Sequence, residues 1–330
     1  MANNPLTLPC VILSAACALS LCCSISLTAQ RFRQPVQPIE SADGAQSAEQ
    51  SVPAQTAEAV EDAQTTEAPE DFVPARDLDV VYIYDNGIDS FEYPVIEGAK
   101  LSDWNMSLLQ SDEETKRRVL LDDDGNPRTR FGIDVSSYQG LIDWEKVAAD
   151  GVEFAFLRAG YRGYETGKIV EDARFRRNLE LAQAAGIDVG VYFFSQAISA
   201  EEGEEEADFV LSLLEQYEAQ LQMPIVFDWE HPSDWDPART DNLSGEEQTA
   251  ACLAFCERVR QAGFEPCYYT TLHMALFRYD LAKLCDIPMW LAEYTGETTF
   301  PYAYDIWQYS CSGVIDGIET LTDINIMTLG

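Results

Sequence analysis

The 330 residues leave room for one large domain and additional segments, and a hydrophobic fraction of 46% is enough for a sizeable core. A formal net charge of −36 argues against a nucleic-acid-binding protein, because phosphate groups need Lys and Arg to neutralise them. Two histidines nearly exclude a multi-histidine metal site, and the nine cysteines contain no C-x-x-C pair. We therefore expect neither a metal nor a cofactor.

The N-terminal segment is apolar. Residues 5–29 carry no charge, and Arg31 and Arg33 follow immediately. This length fits either a secretory signal or a single membrane span. Residues 1–33 are therefore predicted to be a signal peptide or a membrane anchor, with the two alternatives open. We expect an extracellular or cell-surface protein whose only contact with the membrane is this segment.

Two segments of different composition follow. Residues 34–75 contain nine acids and no base, and such a segment cannot bury enough apolar surface to fold, so we predict a disordered acidic linker. Residues 76–130 are of mixed composition, with a candidate strand at 80–84 and an acidic turn near 122–127. They are interpreted as an N-terminal extension of unclear structure.

From residue 131 to the end, short apolar segments alternate with helical patterns, which predicts one regularly folded domain over 131–330. The predicted strands are 131–135, 153–159, 188–194, 224–229, 265–269, 288–292, 304–308 and, more weakly, 321–327. The predicted helices are 171–185, 200–221, 245–261 and 274–284. This alternation is typical of a parallel sheet with helical crossovers, and about eight strands favour a modified TIM-type β/α barrel. The last three strands have short connections, so we expect fewer helices than strands.

The run Asp228-Trp229-Glu230 ends the fourth predicted strand. Residues two apart on a strand point to the same face, so the two carboxyl groups are predicted to lie side by side, with Trp229 facing the other way. Neighbouring carboxylates raise one another's pKa, which keeps one of them protonated near neutral pH and able to donate a proton. The alternative is a pair of solvated acids on a loop.

Other strand ends carry similar chemistry. Asp134 ends the first predicted strand and Asp323 begins the last, and aromatic side chains lie between them in sequence order. In a β/α barrel the strand ends meet at one face, where catalytic residues gather. Acids with aromatic rings suit a sugar polymer, because a glycosidic bond is cleaved by a pair of carboxyl groups.

Six motifs make the sequence recognisable: Asp134-Val-Ser-Ser-Tyr-Gln-Gly140, Ile142-Asp-Trp144, Asp228-Trp-Glu230, Trp290-Leu-Ala-Glu-Tyr294, Trp307-Gln-Tyr-Ser310 and Asp323-Ile-Asn325. In this order they resemble the family 25 glycoside hydrolases, lysozyme-type muramidases, over about 131–328. The resemblance implies hydrolysis of the β-1,4 bond between N-acetylmuramic acid and N-acetylglucosamine. It therefore implies peptidoglycan glycan strands as the partner, and we expect a monomer.

The resemblance also implies roles for individual residues. Glu230 is expected to be the general acid, and Asp228 is expected to orient the substrate's N-acetyl group or to tune Glu230. Asp134 and Asp323 are expected to complete the group of acids in the active site. The candidate substrate contacts are Tyr138, Gln139, Arg158, Tyr192, Trp290, Tyr294 and Gln308. For Arg158, an ion pair to the acids, a substrate contact and an exposed head on a buried stem all stay open.

Two other functions fit the same residues. One is a glycosidase acting on another N-acetylhexosamine polymer such as chitin. The other is a catalytically silent module that binds cell walls, which would not by itself require Asp134, Asp228 and Glu230 together.

Overall fold

Eight strands close into a barrel in the computed structural model, which describes residues 80–85, 89–231 and 238–329. The strands are β1 (Val80–Asp85), β2 (Asp89–Pro94), β3 (Leu109–Ser111), β4 (Arg118–Leu120), β5 (Thr129–Val135), β6 (Phe154–Arg162), β7 (Ile169–Glu171), β8 (Asp188–Ser195), β9 (Ile225–Trp229), β10 (Pro266–Thr271), β11 (Met289–Ala292), β12 (Ile306–Gly313) and β13 (Thr322–Thr328). The α-helices are α1 (Trp144–Ala149), α2 (Phe175–Ala184), α3 (Ala200–Gln216), α4 (Gly245–Gln261), α5 (Leu272–Phe277) and α6 (Leu281–Leu284). Short 3₁₀ turns span Met106–Leu108 and Ser137–Gln139.

The barrel runs in the order β5, β6, β8, β9, β10, β11, β12 and β13, and β13 pairs back with β5. Neighbours from β5 to β12 are parallel, whereas β13 is antiparallel to both β12 and β5. The predicted parallel pairing therefore holds for seven of the eight barrel strands and not for the last one, β13. The connection between β12 and β13 is too short for a parallel crossover, which needs a dozen or more residues. The predicted barrel with fewer helices than strands is confirmed.

The predicted helices also differ in detail from those observed. The segment 274–284 forms two short helices, because the backbone N–H of Tyr279 bonds to Met274 O and the N–H of Asp280 bonds to Thr249 Oγ1. Helix α3 ends at Gln216, five residues earlier than predicted, and the chain then turns at Glu218 with a φ of 51°. A left-handed residue of this kind cannot continue a right-handed helix.

Side-chain alternation separates two cores. On β9, Ile225 and Phe227 pack outward against the helices, whereas Val226 faces the barrel interior. The interior is filled by aromatic rings, with Phe156 stacked on Trp290 at 4.7 Å between centroids. This packed interior supports the polar side chains that lie above it at the C-terminal ends of the strands.

Residues 95–128 pack on the outside of the barrel. Trp104 contacts Trp307 of β12 edge-on at 6.5 Å, and its indole Nε1 donates to Tyr304 O at 3.1 Å. Leu120 of β4 is fully buried in the same core. This segment therefore covers an outer face of the barrel near the end of the chain, where the connections contain no helix.

Among the described residues, no helix is long and apolar enough to cross a membrane. The predicted signal or anchor at 1–33 and the linker at 34–75 lie outside the described residues.

Candidate active site

Four acids meet at the end of the barrel where the parallel strands have their C-termini and where the antiparallel β13 begins. On β9, the buried Asp228 faces inward while Trp229 faces outward, where its Nε1 donates to Ala197 O at 3.2 Å. Glu230 follows directly after the strand. The charge on Glu230 raises the pKa of Asp228, so the two carboxyl groups lie within electrostatic reach of each other.

The other two acids belong to neighbouring strands. Asp134 of β5 and Asp323 of β13 are direct cross-strand partners in the antiparallel ladder. Their charges reach those of the β9 acids, because Asp134 and Glu230 both raise the pKa of Asp323. The sequence motifs that are farthest apart therefore contribute to one pocket.

Burial makes all four acids weaker. Desolvation raises the pKa of Asp134 to about 6 and the pKa of Glu230 to about 7. The pKa values of Asp228 and Asp323 are raised well above their usual range, first by desolvation and then by the neighbouring acids. Asp228 Oδ1 is buried and accepts no hydrogen bond from the described residues. A protonated Asp228 is consistent with that missing partner, since a neutral carboxyl costs less to bury.

Asp134 differs from the other three acids because two amides hold it. Its Oδ2 accepts from Gln308 Nε2 at 2.9 Å and from Asn325 Nδ2 at 2.8 Å. Both hydrogen bonds lower the pKa of Asp134 against the effect of burial. Of the four, Asp134 is therefore the acid best equipped to carry a negative charge.

Arg158 of β6 is held beside the pocket by an acid that sequence reasoning missed. Its Nε donates to Asp172 Oδ2 at 2.8 Å, and its Nη2 donates to Ser137 Oγ at 3.2 Å. The buried Asp172 also accepts from the backbone N–H of Ser137 at 3.0 Å. The positive charge lowers the pKa values of both Asp228 and Glu230. Arg158 thus forms an ion pair with Asp172 and acts on the catalytic candidates through its field.

Gln196, immediately after β8, holds the backbone at Glu230. Its Nε2 donates to Glu230 O at 2.7 Å, and its Oε1 accepts from Thr240 Oγ1 at 3.2 Å. Its own carbonyl accepts from Arg239 Nη1 at 3.1 Å, and Arg239 forms a two-pronged ion pair with Glu202 of α3. The side-chain amide of Gln196 is therefore hydrogen-bonded both to Glu230 and to Thr240.

The candidate substrate contacts fall into two groups. Tyr138, in the 3₁₀ turn after β5, is 38% exposed, and Tyr192 and Tyr294 are half-buried. The others are enclosed: Trp290 is 2% exposed and Gln308 is 3% exposed. Gln139 is also buried, and its Oε1 accepts from the backbone N–H of Ser136 at 2.8 Å in a capping box. Trp290, Gln308 and Gln139 are therefore occupied by contacts within the protein.

Sequence reasoning did not select Asp172, Gln196, Tyr269 or Asn325 as site residues. Asn325 stands in the Asp323-Ile-Asn325 motif, and the alternation of β13 turns both polar residues inward. Gln196 follows a strand end, which is a usable signal in a barrel. Asp172 carries no such signal, because it follows the small strand β7 outside the barrel.

The pocket therefore offers a protonated carboxyl at neutral pH next to an amide-held carboxyl that ionises more readily. A proton donor and a carboxylate at one site are what glycosidic bond cleavage requires. Among the described residues, no group of His, Cys, Asp and Glu is arranged to hold a metal ion.

Comparison with known proteins points to one family. Residues 133–318 match the family model described as glycosyl hydrolases family 25. Lysozyme M1 of Streptomyces globisporus is 30% identical over 207 residues, which are 59% of this chain and 66% of that protein. The autolytic lysozyme of Clostridium acetobutylicum is 24% identical over 201 residues, which are 60% of this chain and 56% of that protein.

The fold is shared with a solved autolysin. The modular autolysin LytC from Streptococcus pneumoniae superimposes with a TM-score of 0.53 and 22% identity, over 75% of this chain and 56% of that one. LytC has also been solved in complex with a synthetic peptidoglycan ligand. This chain thus spans a little over half the length of LytC and of the clostridial lysozyme.

Proposed function

Because the chain belongs to glycosyl hydrolase family 25, we propose that it is an exported muramidase that cleaves bacterial peptidoglycan. The bond is the β-1,4 linkage between N-acetylmuramic acid and N-acetylglucosamine. Two relatives are named lysozymes, and the fold neighbour LytC binds a synthetic peptidoglycan ligand, which supports this substrate class.

The proposal depends above all on Glu230. Its pKa of about 7 leaves a large protonated fraction near neutral pH, and burial is the main cause of that shift. In this proposal Glu230 is the general acid that protonates the leaving glycosidic oxygen. The ionised Asp134 stabilises the positive charge that develops on the sugar ring.

Asp228 assists in a different form. Its raised pKa favours the neutral acid, which donates a hydrogen bond. In our proposal it orients the substrate's N-acetyl group beside Glu230. Tyr138, the most exposed of the candidate contacts at 38%, is the aromatic surface proposed to meet a sugar ring.

The decisive experiment measures release of reducing ends from purified peptidoglycan by the full chain. Glu230→Gln keeps the size of the side chain and removes the acid, so we expect a loss of about 10²–10⁴-fold in kcat. Glu204→Gln is the matched control, because Glu204 is exposed on α3. Equal activity in wild type and Glu230→Gln would remove Glu230 from its assigned role.

The two alternative functions give different outcomes in a substrate panel. A glycosidase for chitin-type polymers would release reducing ends from chitin oligomers and none from peptidoglycan. A silent wall-binding module would sediment with walls without any product. Mass analysis of the muropeptides identifies the bond, and the anomer formed first reports the stereochemical course.

Export is tested separately from activity. The mature mass of the protein in cell fractions distinguishes a cleaved signal from a retained anchor at 1–33. A full-length protein confined to the cytoplasm would contradict export and leave the hydrolase proposal intact.

A further inference from the structure

The buried Trp290 lies two hydrogen bonds away from Asp134. Its Nε1 donates to Asn325 Oδ1 at 2.9 Å, and Asn325 Nδ2 donates to Asp134 Oδ2 at 2.8 Å. An indole N–H is a donor and has no acceptor, so the amide atom facing Trp290 must be the oxygen. The amide nitrogen is then forced to face Asp134. One tryptophan proton thus determines which end of the Asn325 amide meets the carboxylate.

A second amide is arranged in the same way. The hydroxyl groups of Tyr269 and Tyr294 donate to Gln308 Oε1 at 3.0 Å and 2.7 Å. Gln308 Nε2 then points to Asp134 Oδ2 at 2.9 Å. Gln308 and Asn325 are cross-strand partners, so their amides approach the same oxygen from neighbouring strands.

The surroundings of Trp290 prevent the ring from turning away. Phe156 stacks on it at 4.7 Å between centroids, and Tyr269 and Tyr192 meet it edge-on at 5.2 Å and 6.3 Å. Asn325 is fully buried. If the indole proton were lost, the hydrogen bond to Asp134 would be the only one of these contacts left to orient the amide.

The orientation matters because the pocket around Asp134 is acidic. Besides Asp134, the pocket is lined by three carboxyl groups: Asp323 on β13, and Asp228 and Glu230 at the end of β9. Its other titratable or charged groups are Arg158 on β6, Tyr192 on β8, Tyr269 on β10 and Tyr294 after β11. Burial disfavours a negative charge on Asp134 and raises its pKa, whereas the two amide N–H groups favour the charge. A flipped Asn325 would present its oxygen and replace one of these attractions with a repulsion.

We propose that Trp290 is a positioning residue that orients the Asn325 amide and thereby keeps Asp134 ionised beside the protonated Glu230. This role rests on the proposed function. The kinetic measurements below depend on that function, whereas the NMR titration of Asp134 does not. Trp290 acts through Asn325 and needs no contact with the substrate. The charge on Asp134 in turn raises the pKa of Glu230, so the same tryptophan helps to keep the general acid protonated.

The test compares Trp290→Phe with Trp144→Phe in the full chain. Trp144 is also buried, and its Nε1 also donates to an asparagine side chain, Asn178 Oδ1 at 3.3 Å. Each substitution removes the same proton and the same ring volume, but only one lies next to Asp134. The pKa of Asp134 is followed by ¹³C NMR of aspartate-labelled protein, with its signal assigned by Asp134→Asn.

We expect the pKa of Asp134 to rise by about 0.5–1 unit in Trp290→Phe, because one charge-assisted hydrogen bond is weakened, and to stay unchanged in Trp144→Phe. The acid limb of the pH profile of kcat/KM should move upward by the same amount. An unchanged titration of Asp134 in Trp290→Phe would overturn the proposal. So would a uniform loss of activity at every pH without a shift of the limb.

Two further measures keep the outcomes distinct. Tyr294→Phe removes one of the two donors to Gln308 on a half-buried ring, and it should shift the acid limb in the same direction by less. If Trp290→Phe does not fold, an unchanged Asp134 titration in Asn325→Ala rejects the proposal, because that variant removes the amide through which Trp290 acts. If the wild type cleaves no peptidoglycan, the proposed function fails, and the NMR titration still decides the role of Trp290.

Discussion

Asp134 and Asp323 lie directly opposite each other on β5 and β13, the antiparallel pair that closes the barrel. Like charges in this arrangement repel, so the two carboxyls cannot both ionise easily. Amide hydrogen bonds favour the charge on Asp134, and that charge raises the pKa of Asp323. We infer that Asp134 carries the negative charge of the pair and that Asp323 remains protonated near neutral pH.

The wild-type pH profile should be a narrow bell. The proposed mechanism requires an ionised Asp134 and a protonated Glu230. Activity therefore falls as pH drops through about 6. It also falls as pH rises through about 7, because Glu230 then loses its proton. Because the acids of the pocket interact, the apparent pKa values of the two limbs describe the whole group of acids and not one residue each. Measuring kcat/KM on soluble peptidoglycan fragments from pH 4 to 9 checks this, and a rate that keeps rising above about pH 8 would contradict it.

Arg158→Gln should move the alkaline limb to higher pH. The Arg158 charge lowers the pKa of Glu230, so its removal lets Glu230 stay protonated further into the alkaline range. We expect a shift of about 0.5–1 pH unit. Arg176→Gln is the control, because its side chain is 65% exposed and pairs with Glu180 on α2. A rise in KM with no movement of the limb would instead assign Arg158 to substrate contact.

The buried Glu206 of α3 should make the fold less stable at higher pH. Burial raises its pKa from 4.5 to about 7, although the Arg162 guanidinium 2.6 Å away favours the charged form. The folded state therefore holds this proton more tightly than the unfolded state. This contribution to the free energy of unfolding is fully present below pH 4.5 and is lost as pH rises through about 7.

Glu206→Gln removes that titration. The fall in the free energy of unfolding between pH 5 and 8 should then be smaller than in wild type by on the order of 2 kcal/mol. Urea unfolding at each pH measures it. Glu204→Gln, on the exposed face of the same helix, should leave the dependence unchanged. Identical pH dependence in wild type and Glu206→Gln would show that Glu206 is ionised throughout.

Leu120→Ala tests whether residues 95–128 belong to the catalytic fold. Leu120 is fully buried, and its N–H donates to Thr129 Oγ1 of β5 at 3.0 Å. Truncating a buried leucine costs about 2–5 kcal/mol in the free energy of unfolding. Leu141→Ala, at a side chain 61% exposed, should cost less than about 0.5 kcal/mol. Equal effects of the two substitutions would mean that the extension does not share the cooperative unit.

Local sequence pattern was sufficient wherever a single strand decided the outcome. The period of two on β9 sends Asp228 inward and Trp229 outward, and no other part of the chain is needed to know it. The alternation of strands and helices likewise predicted the barrel, and the ordered motifs indicated the family that the family model confirms. These features depend on the spacing of residues that are close together in the sequence, so they can be predicted from the sequence alone.

Tertiary structure alone decided which side chains meet. Gln308 and Asp134 are 174 residues apart and Asn325 and Asp134 are 191 apart, yet both amides reach one oxygen. That meeting depends on the register of β12, β13 and β5, and a shift of one residue would send each of these side chains to the other face. The antiparallel return of β13, the Asp172 partner of Arg158 and the packing of Leu120 depend in the same way on long-range contacts. The sequence by itself determined which carboxyls face the barrel interior, and the strand register decided which of them is held in the charged form.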